Sequence, residues 1–130
     1  MNALELAHKV YENFGKGDLP GVLACLSPNI EWQLIGPDSI PYFGTYLGIE
    51  GVQTFFNKLF EHEEILEFVP EQFIDNANSV AVLGYERCRS KNSGKEFRAH
   101  WVQVFDVQDG LVVRWREYID TAPMVEAYRA

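Results

Sequence analysis

The sequence predicts an α+β fold: a curled antiparallel sheet forming a cone-shaped pocket, packed by three helices from the N-terminal half of the chain. Apolar residues recur at helical spacing through that half. The second half instead alternates with period two between clusters of turn-forming residues. Helices first and a meander afterwards is the order of an α+β fold, not of repeated βαβ units. A length of 130 residues with 47% hydrophobic content fits a single domain over residues 1–130 with one core.

Leu4, Ala7, Val10, Tyr11 and Phe14 share one face of the first helix, which breaks at Gly15-Lys16-Gly17. Asp18 caps a short second helix carrying Leu19, Val22, Leu23 and Leu26. Pro20 falls in its first turn, where a missing N–H is harmless. Ser27-Pro28-Asn29 ends it, and residues 30–35 form a strand with Trp32 and Leu34 on one face. Residues 36–48 read as a loop holding Tyr42, Phe43 and Tyr46. A third helix over 50–63 presents Val52, Phe55, Phe56, Leu59 and Phe60. Strands follow over 65–74, 79–89, 96–107 and 111–119, and 123–128 reads as a closing helix.

Composition narrows the function. Eleven Lys and Arg against nineteen Asp and Glu give a net charge of −8. That balance argues against nucleic acid and anionic membrane surfaces, which select clustered cations. No apolar run approaches the roughly 18 residues that span a bilayer. The first ten residues carry Glu5, His8 and Lys9 and do not resemble a signal peptide, so a reducing, cytoplasmic setting is expected. Cys25 and Cys88 match no metal spacing, and His8, His62 and His100 stand apart. With no phosphate loop and no GxGxxG, neither metal nor cofactor is expected. Nine Phe, six Tyr and three Trp make 14% of the chain, a surplus that points to an aromatic-lined cavity.

Alternation picks out polar residues on apolar faces. Glu86 shares a face with Val80, Val82, Gly84 and Cys88. Gln103 interrupts Phe97, Ala99, Trp101, Phe105 and Val107, and Glu117 interrupts Leu111, Val113, Trp115 and Ile119. A buried carboxylate is costly unless hydrogen-bonded or protonated, so these three are the candidate reactive groups. A three-residue loop Gln108-Asp109-Gly110 would set Gln103 opposite Trp115 and Trp101 opposite Glu117. A hairpin closed at Asn92-Ser93 would set Glu86 opposite Ala99. The outward Arg87, Arg89, Arg98, Arg114 and Arg116 alternate with acids, as in a salt-bridged sheet surface or a subunit interface.

The segments GDLPGVLACLSPNIEW, YFGTYLGIEGV and DGLVVRWREYID, in this order around an aromatic helix, resemble the nuclear transport factor 2-like superfamily. Within it the resemblance is to the SnoaL-like, ketosteroid-isomerase-related group. It implies a cone-shaped sheet around a pocket, commonly a homodimer through the sheet, on a scaffold that hosts many chemistries. Alignment through GDLPGV puts Leu34 at the isomerase base, Val10 at its tyrosine and Gln103 at its second acid, so ketosteroid isomerisation is not expected. The family's polyketide cyclases imply an acid/base at Glu117. Its epoxide hydrolases imply the same, with a second acid at Glu86, although Gly84 and Leu34 replace their Arg and Asn. The expected function is binding of a small hydrophobic or carbonyl-bearing molecule, with acid/base chemistry at Glu117, assisted by Gln103 and Glu86. Trp32, Leu34, Tyr42, Phe43, Tyr46, Phe55, Trp101 and Trp115 would form the pocket. A non-catalytic binding or dimerisation module is the alternative.

Overall fold

Helix α1 (Ala3–Gly15) starts at Asn2, whose side chain accepts from the Glu5 N–H while the Glu5 carboxylate accepts from the Asn2 N–H. This reciprocal cap fixes the first turn. In a computed structural model describing residues 1–129, α1 is followed by α2 (Leu19–Leu23), capped by Asp18 on the Gly21 N–H. The chain then runs through β1 (Leu26–Ile35), β2 (Gly44–Leu47), α3 (Gly48–His62) and β3 (Glu63–Asp75). The last part is β4 (Ser79–Ser90), β5 (Glu96–Gln108), β6 (Leu111–Ile119) and α4 (Thr121–Tyr128).

The six strands form one unclosed, curled sheet in the order β2-β1-β6-β5-β4-β3. The C-terminal meander pairs antiparallel throughout, as alternation predicts, with Glu86 opposite Ala99. The sheet is nonetheless mixed, because β1 lies parallel to β6. That pairing places Trp32 beside Trp115 and Leu34 beside Glu117. Helix α3 links β2 at one edge of the sheet to β3 at the other. It spans the hollow side, with Val52, Phe55, Phe56 and Leu59 buried. Helix α1 buries Leu6, Ala7 and Val10 against the same side.

Several boundaries differ from the sequence reading, each for a local reason. β1 begins at Leu26, within the predicted helix end, and its register is irregular between Leu26 and Glu31, where Pro28 removes a donor. The predicted loop 36–48 contains the edge strand β2, paired from Gly44 to Leu47 with β1. The third helix stops at His62, and Glu63 opens β3 with no intervening loop. α4 starts at Thr121, two residues before the sequence suggested, because Asp120 caps it on the Ala122 N–H.

The β5–β6 hairpin carries the correction with the largest consequence. Asp109 and Gly110 have φ of 54° and 74°, a two-residue type I′ turn in place of the expected three-residue loop. Gln108 then pairs with Leu111, and a bulge follows in which Asp106 opposes Arg114 while Val107 opposes Val112. Val113 is the extra residue, so Val112 takes the buried position expected for Val113. The bulge returns Trp115 and Glu117 to the inner face, but two residues along from the expected register. Gln103 faces Glu117, and Trp101 faces Ile119.

On the outer face Arg87 and Arg89 both reach Glu96, at 2.9 and 3.2 Å, and Arg89 also reaches Glu64 at 2.7 Å. Arg116 reaches Asp106 at 3.5 Å, and Arg98 lies 4.0 Å over the Tyr85 ring. These exposed pairs orient side chains and add little stability.

Gly84 lies where β4 approaches both neighbours. A Cβ there would press into the Val69 carbonyl and the ring of Trp101. Gly84→Ala is therefore expected to destabilise the fold by about 1–3 kcal/mol, read from the shift in urea unfolding midpoint.

Candidate functional site

The hollow of the sheet, closed by α1 and α3, encloses a cavity of about 60 Å³. At one water-sized sphere per atom, it has room for on the order of four to six non-hydrogen atoms. Of the residues the sequence nominates, Glu86, Gln103 and Glu117 line it, together with Trp32, Leu34, Tyr42, Phe55 and Trp115. Phe43, Tyr46 and Trp101 do not. Phe43 stacks edge-on against Tyr42, and Tyr46 donates its hydroxyl to the Tyr42 carbonyl at 2.9 Å, so both support the wall from behind. Trp101 is buried under Phe68, with ring centroids 5.0 Å apart.

All the nominated polar groups are buried: Glu86 and Glu117 are 6% exposed and Gln103 is 4%. The observed register brings two of them into contact. Gln103 Nε2 donates to Glu117 Oε2 at 2.6 Å, and the Tyr11 hydroxyl donates to Gln103 Oε1 at 2.8 Å. Tyr11 thus fixes which way the amide points, and the amide fixes the carboxyl. Burial lifts the Glu117 pKa to about 7, opposed by the Gln103 hydrogen bond and reinforced by Glu63. Burial also pushes Glu86 well above the usual carboxylate range, with the charges of Glu117 and Glu63 adding to it. No Lys, Arg or His lines the cavity, so a carboxylate there has no counter-ion.

Sequence reasoning missed two polar residues of the cavity, Glu63 and Tyr11. Glu63 is 1% exposed and accepts from the Tyr42 and Tyr128 hydroxyls, each at 2.8 Å on Oε1. Its neighbours Glu61, His62 and Glu64 make it read as the polar end of a helix, and nothing in the sequence marks it. Tyr11 reads as one more ring on an apolar helix face. A tyrosine within a residue of Val10, the position aligned with the isomerase tyrosine, was the available signal.

Cys88 donates to Glu86 Oε2 at 3.1 Å, and the ligating atoms of Glu63, Glu86 and Cys88 all lie within 4.8 Å of one another. The sequence holds no motif that announces this trio. Burial pushes all three toward their protonated forms, so a cation entering here would have to displace protons.

The sequence profile of the SnoaL-like domain matches residues 7–115. The chain belongs to the SnoaL-like family, within the nuclear transport factor 2-like superfamily. A nuclear transport factor 2-like protein of unknown function from Burkholderia pseudomallei is 32% identical, with a TM-score of 0.85 over 98% of this chain and 97% of that one. TerC, co-crystallised with polyporic acid, is 23% identical, with a TM-score of 0.87 over 98% of each chain. A protein described as a SnoaL-like polyketide cyclase from Mesorhizobium loti is 20% identical, with a TM-score of 0.75 over 91% of this chain and 99% of that one. The last two share the fold. No curated protein matches the chain by sequence. Among the described residues no helix is long and apolar enough to cross a membrane. The chain therefore has the SnoaL-like fold of the nuclear transport factor 2-like superfamily.

The raised carboxyl pKa values of this SnoaL-like protein have a consequence for stability. Folded Glu117 keeps its proton up to about pH 7, whereas the unfolded chain releases it near 4.5. The folded state binds more protons in that window, so stability falls as pH rises through it. Glu117→Gln removes this share. The variant is expected to be more stable than the parent at pH 8, by on the order of 1–3 kcal/mol, and to lose less stability between pH 5 and 8. Urea unfolding midpoints at the two pH values measure both effects.

Proposed function

We propose that this SnoaL-like protein binds a small hydrophobic molecule bearing a carbonyl group and moves a proton on it with Glu117, without a cofactor. The observation that carries the reading is a buried carboxyl with a pKa of about 7, held by an amide inside an aromatic cavity. A group poised near the working pH can both take and return a proton. Gln103 occupies Oε2, which leaves Oε1 to exchange it.

In the step we infer, ionised Glu117 removes a proton from the carbon beside the carbonyl. The C–H electron pair moves into the new C=C bond, and the carbonyl π pair moves onto oxygen. Return of the proton to the same or another carbon gives exchange or isomerisation. Attack of the same enolate carbon on a second carbonyl gives ring closure, the cyclase outcome. Protonated Glu86, on the same cavity wall, is the second acid.

Size sets a further condition. The inner cavity takes the reacting head of a molecule and little else. Outside lies a groove of about 570 Å³ that shares Tyr11, Phe14, Ile65 and Phe68 with it. The Phe14 and Phe68 rings meet edge-on across this boundary with centroids 5.3 Å apart. A larger substrate would place its head inside and its remaining apolar part in the groove.

The absences at Val10 and Leu34 speak against ketosteroid isomerisation. At Gly84 no side chain fits, which speaks against the epoxide-hydrolase arrangement with its Arg.

Deuterium exchange at the α-carbons of cyclopentanone in D2O, followed by NMR, tests the chemistry with a six-atom probe. Protein-dependent exchange is expected to rise with pH through about 7 as Glu117 ionises, and to fall at least 100-fold in Glu117→Gln. Equal exchange by parent and variant would overturn catalysis at Glu117 and leave a binding module. Native mass spectrometry of the freshly purified protein shows in parallel whether a small molecule is retained.

A further inference from the structure

Three of the cavity's side-chain donors are already committed. Tyr11 donates to Gln103, Tyr42 to Glu63, and Gln103 to Glu117. The Trp32 indole Nε1 is buried and meets no acceptor among the described residues, although its ring forms part of the cavity wall. Trp101 also has an unpartnered N–H, but its ring stands outside the wall.

Trp32 is held so that it cannot turn away. Its backbone pairs with Tyr46 on β2 and Trp115 on β6, so β1 is anchored on both sides. Its ring stacks on Trp115 at 3.9 Å and 18°, and Phe55 and Phe56 close in at 5.7 and 5.8 Å. A buried donor with no partner destabilises the empty protein, and a ligand that supplies an acceptor relieves that penalty. An indole N–H donates and never accepts. It therefore selects an oxygen acceptor and offers nothing to an ammonium group.

We infer that the Trp32 N–H is the donor that receives the ligand's carbonyl oxygen and holds the negative charge formed there. This rests on the proposed function for the charge that develops, but not for the binding contact itself. The ligand class narrows to ketones, aldehydes, esters or quinone-type carbonyls with a head of about six atoms, in preference to hydrocarbons and amines. A fixed donor aimed at developing charge is the arrangement that stabilises an enolate, because it needs no reorganisation during the reaction. In this chain the donor sits on β1 beside Trp115, and Glu117 lies diagonally from it on β6, beside Leu34; both residues line the cavity that would hold the carbonyl and its α-carbon.

The three indole N–H signals of the protein are resolved by 15N NMR and assigned from Trp32→Phe, Trp101→Phe and Trp115→Phe. The protein is titrated with cyclopentanone and with methylenecyclopentane, which has the same shape and no acceptor. The ketone is expected to move the Trp32 signal downfield while the alkene leaves it near its starting position. Trp32→Phe is expected to weaken ketone binding about tenfold, the size of one hydrogen bond, and to change alkene binding less than about twofold. Equal movement of the Trp32 signal by both ligands would overturn the inference. So would a response confined to another indole, no response at the solubility limit of the ketone, or equal losses for both ligands in Trp32→Phe. The ketone–alkene comparison in the parent protein stands even where a Trp variant does not fold. A ketone-selective Trp32 shift without α-carbon exchange would sink the proposed chemistry while keeping the carbonyl contact. Exchange without the shift would do the reverse.

Discussion

Gln103 and Glu117 face each other on β5 and β6, and their hydrogen bond joins the packing of α1 to the chemistry of the sheet. Tyr11 comes from the helix, Gln103 relays its orientation, and Glu117 receives it. If the pair were out of register by two residues, Gln103 would meet an indole and Glu117 would be buried without a donor. An unpartnered buried carboxyl would stay protonated far above neutral pH and would be useless as a base. With one neutral donor in place, its pKa comes to rest at about 7. The register that allows this follows from a single residue, Val113, whose bulge offsets the tight Asp109-Gly110 turn.

Much of the fold is legible because apolar period and turn chemistry are local signals. Residues 79–90 alternate without a break, so their inward set, Glu86 included, is read from sequence as it is found. Asp109-Gly110 shows why register is harder. Both the two-residue turn and the three-residue loop put Gly110 in the left-handed region, and both point Glu117 inward. The two differ only in which residue the bulge absorbs, and that is decided by packing across strands. β2 escapes notice because four residues at a sheet edge carry no period, and Tyr46 is its only buried member. The site follows the same rule. Glu86, Gln103 and Glu117 stand out because strands expose a polar residue on an apolar face. Glu63 and Tyr11 do not, because each lies where a helix pattern already explains it.

The cavity also shows what the fold tolerates for the sake of its interior. Glu63, Glu86 and Glu117 are all buried with no cation among them, and burial shifts each toward its protonated form. Sequence, packing and polar satisfaction agree nearly everywhere else, and local disagreement of this kind concentrates at functional sites. The outer face, by contrast, pairs its acids with Arg87 and Arg89 in the open, where solvent screens them. The same net acidity is thus handled in two ways, by ion pairs outside and by retained protons inside.

Retained protons and a fixed indole also explain how one scaffold changes chemistry without changing shape. The family resemblance sets Val10, Leu34 and Gln103 where the isomerase pattern has its tyrosine, base and second acid, and none of the three can fill that role as it stands. Tyr11, one residue along α1, still reaches the cavity, but its hydroxyl is committed to Gln103. It steadies an acid in place of gripping a substrate. In the proposed reaction the base is Glu117 on β6, and the donor is the unpartnered Trp32 N–H on β1. β1 and β6 are neighbours in parallel register, with Leu34 beside Glu117 and Trp32 beside Trp115. Trp32 and Glu117 stand diagonally on this strand pair, two residues out of step, so a substrate in the proposed reaction bridges side chains rooted about 8 Å apart at the backbone.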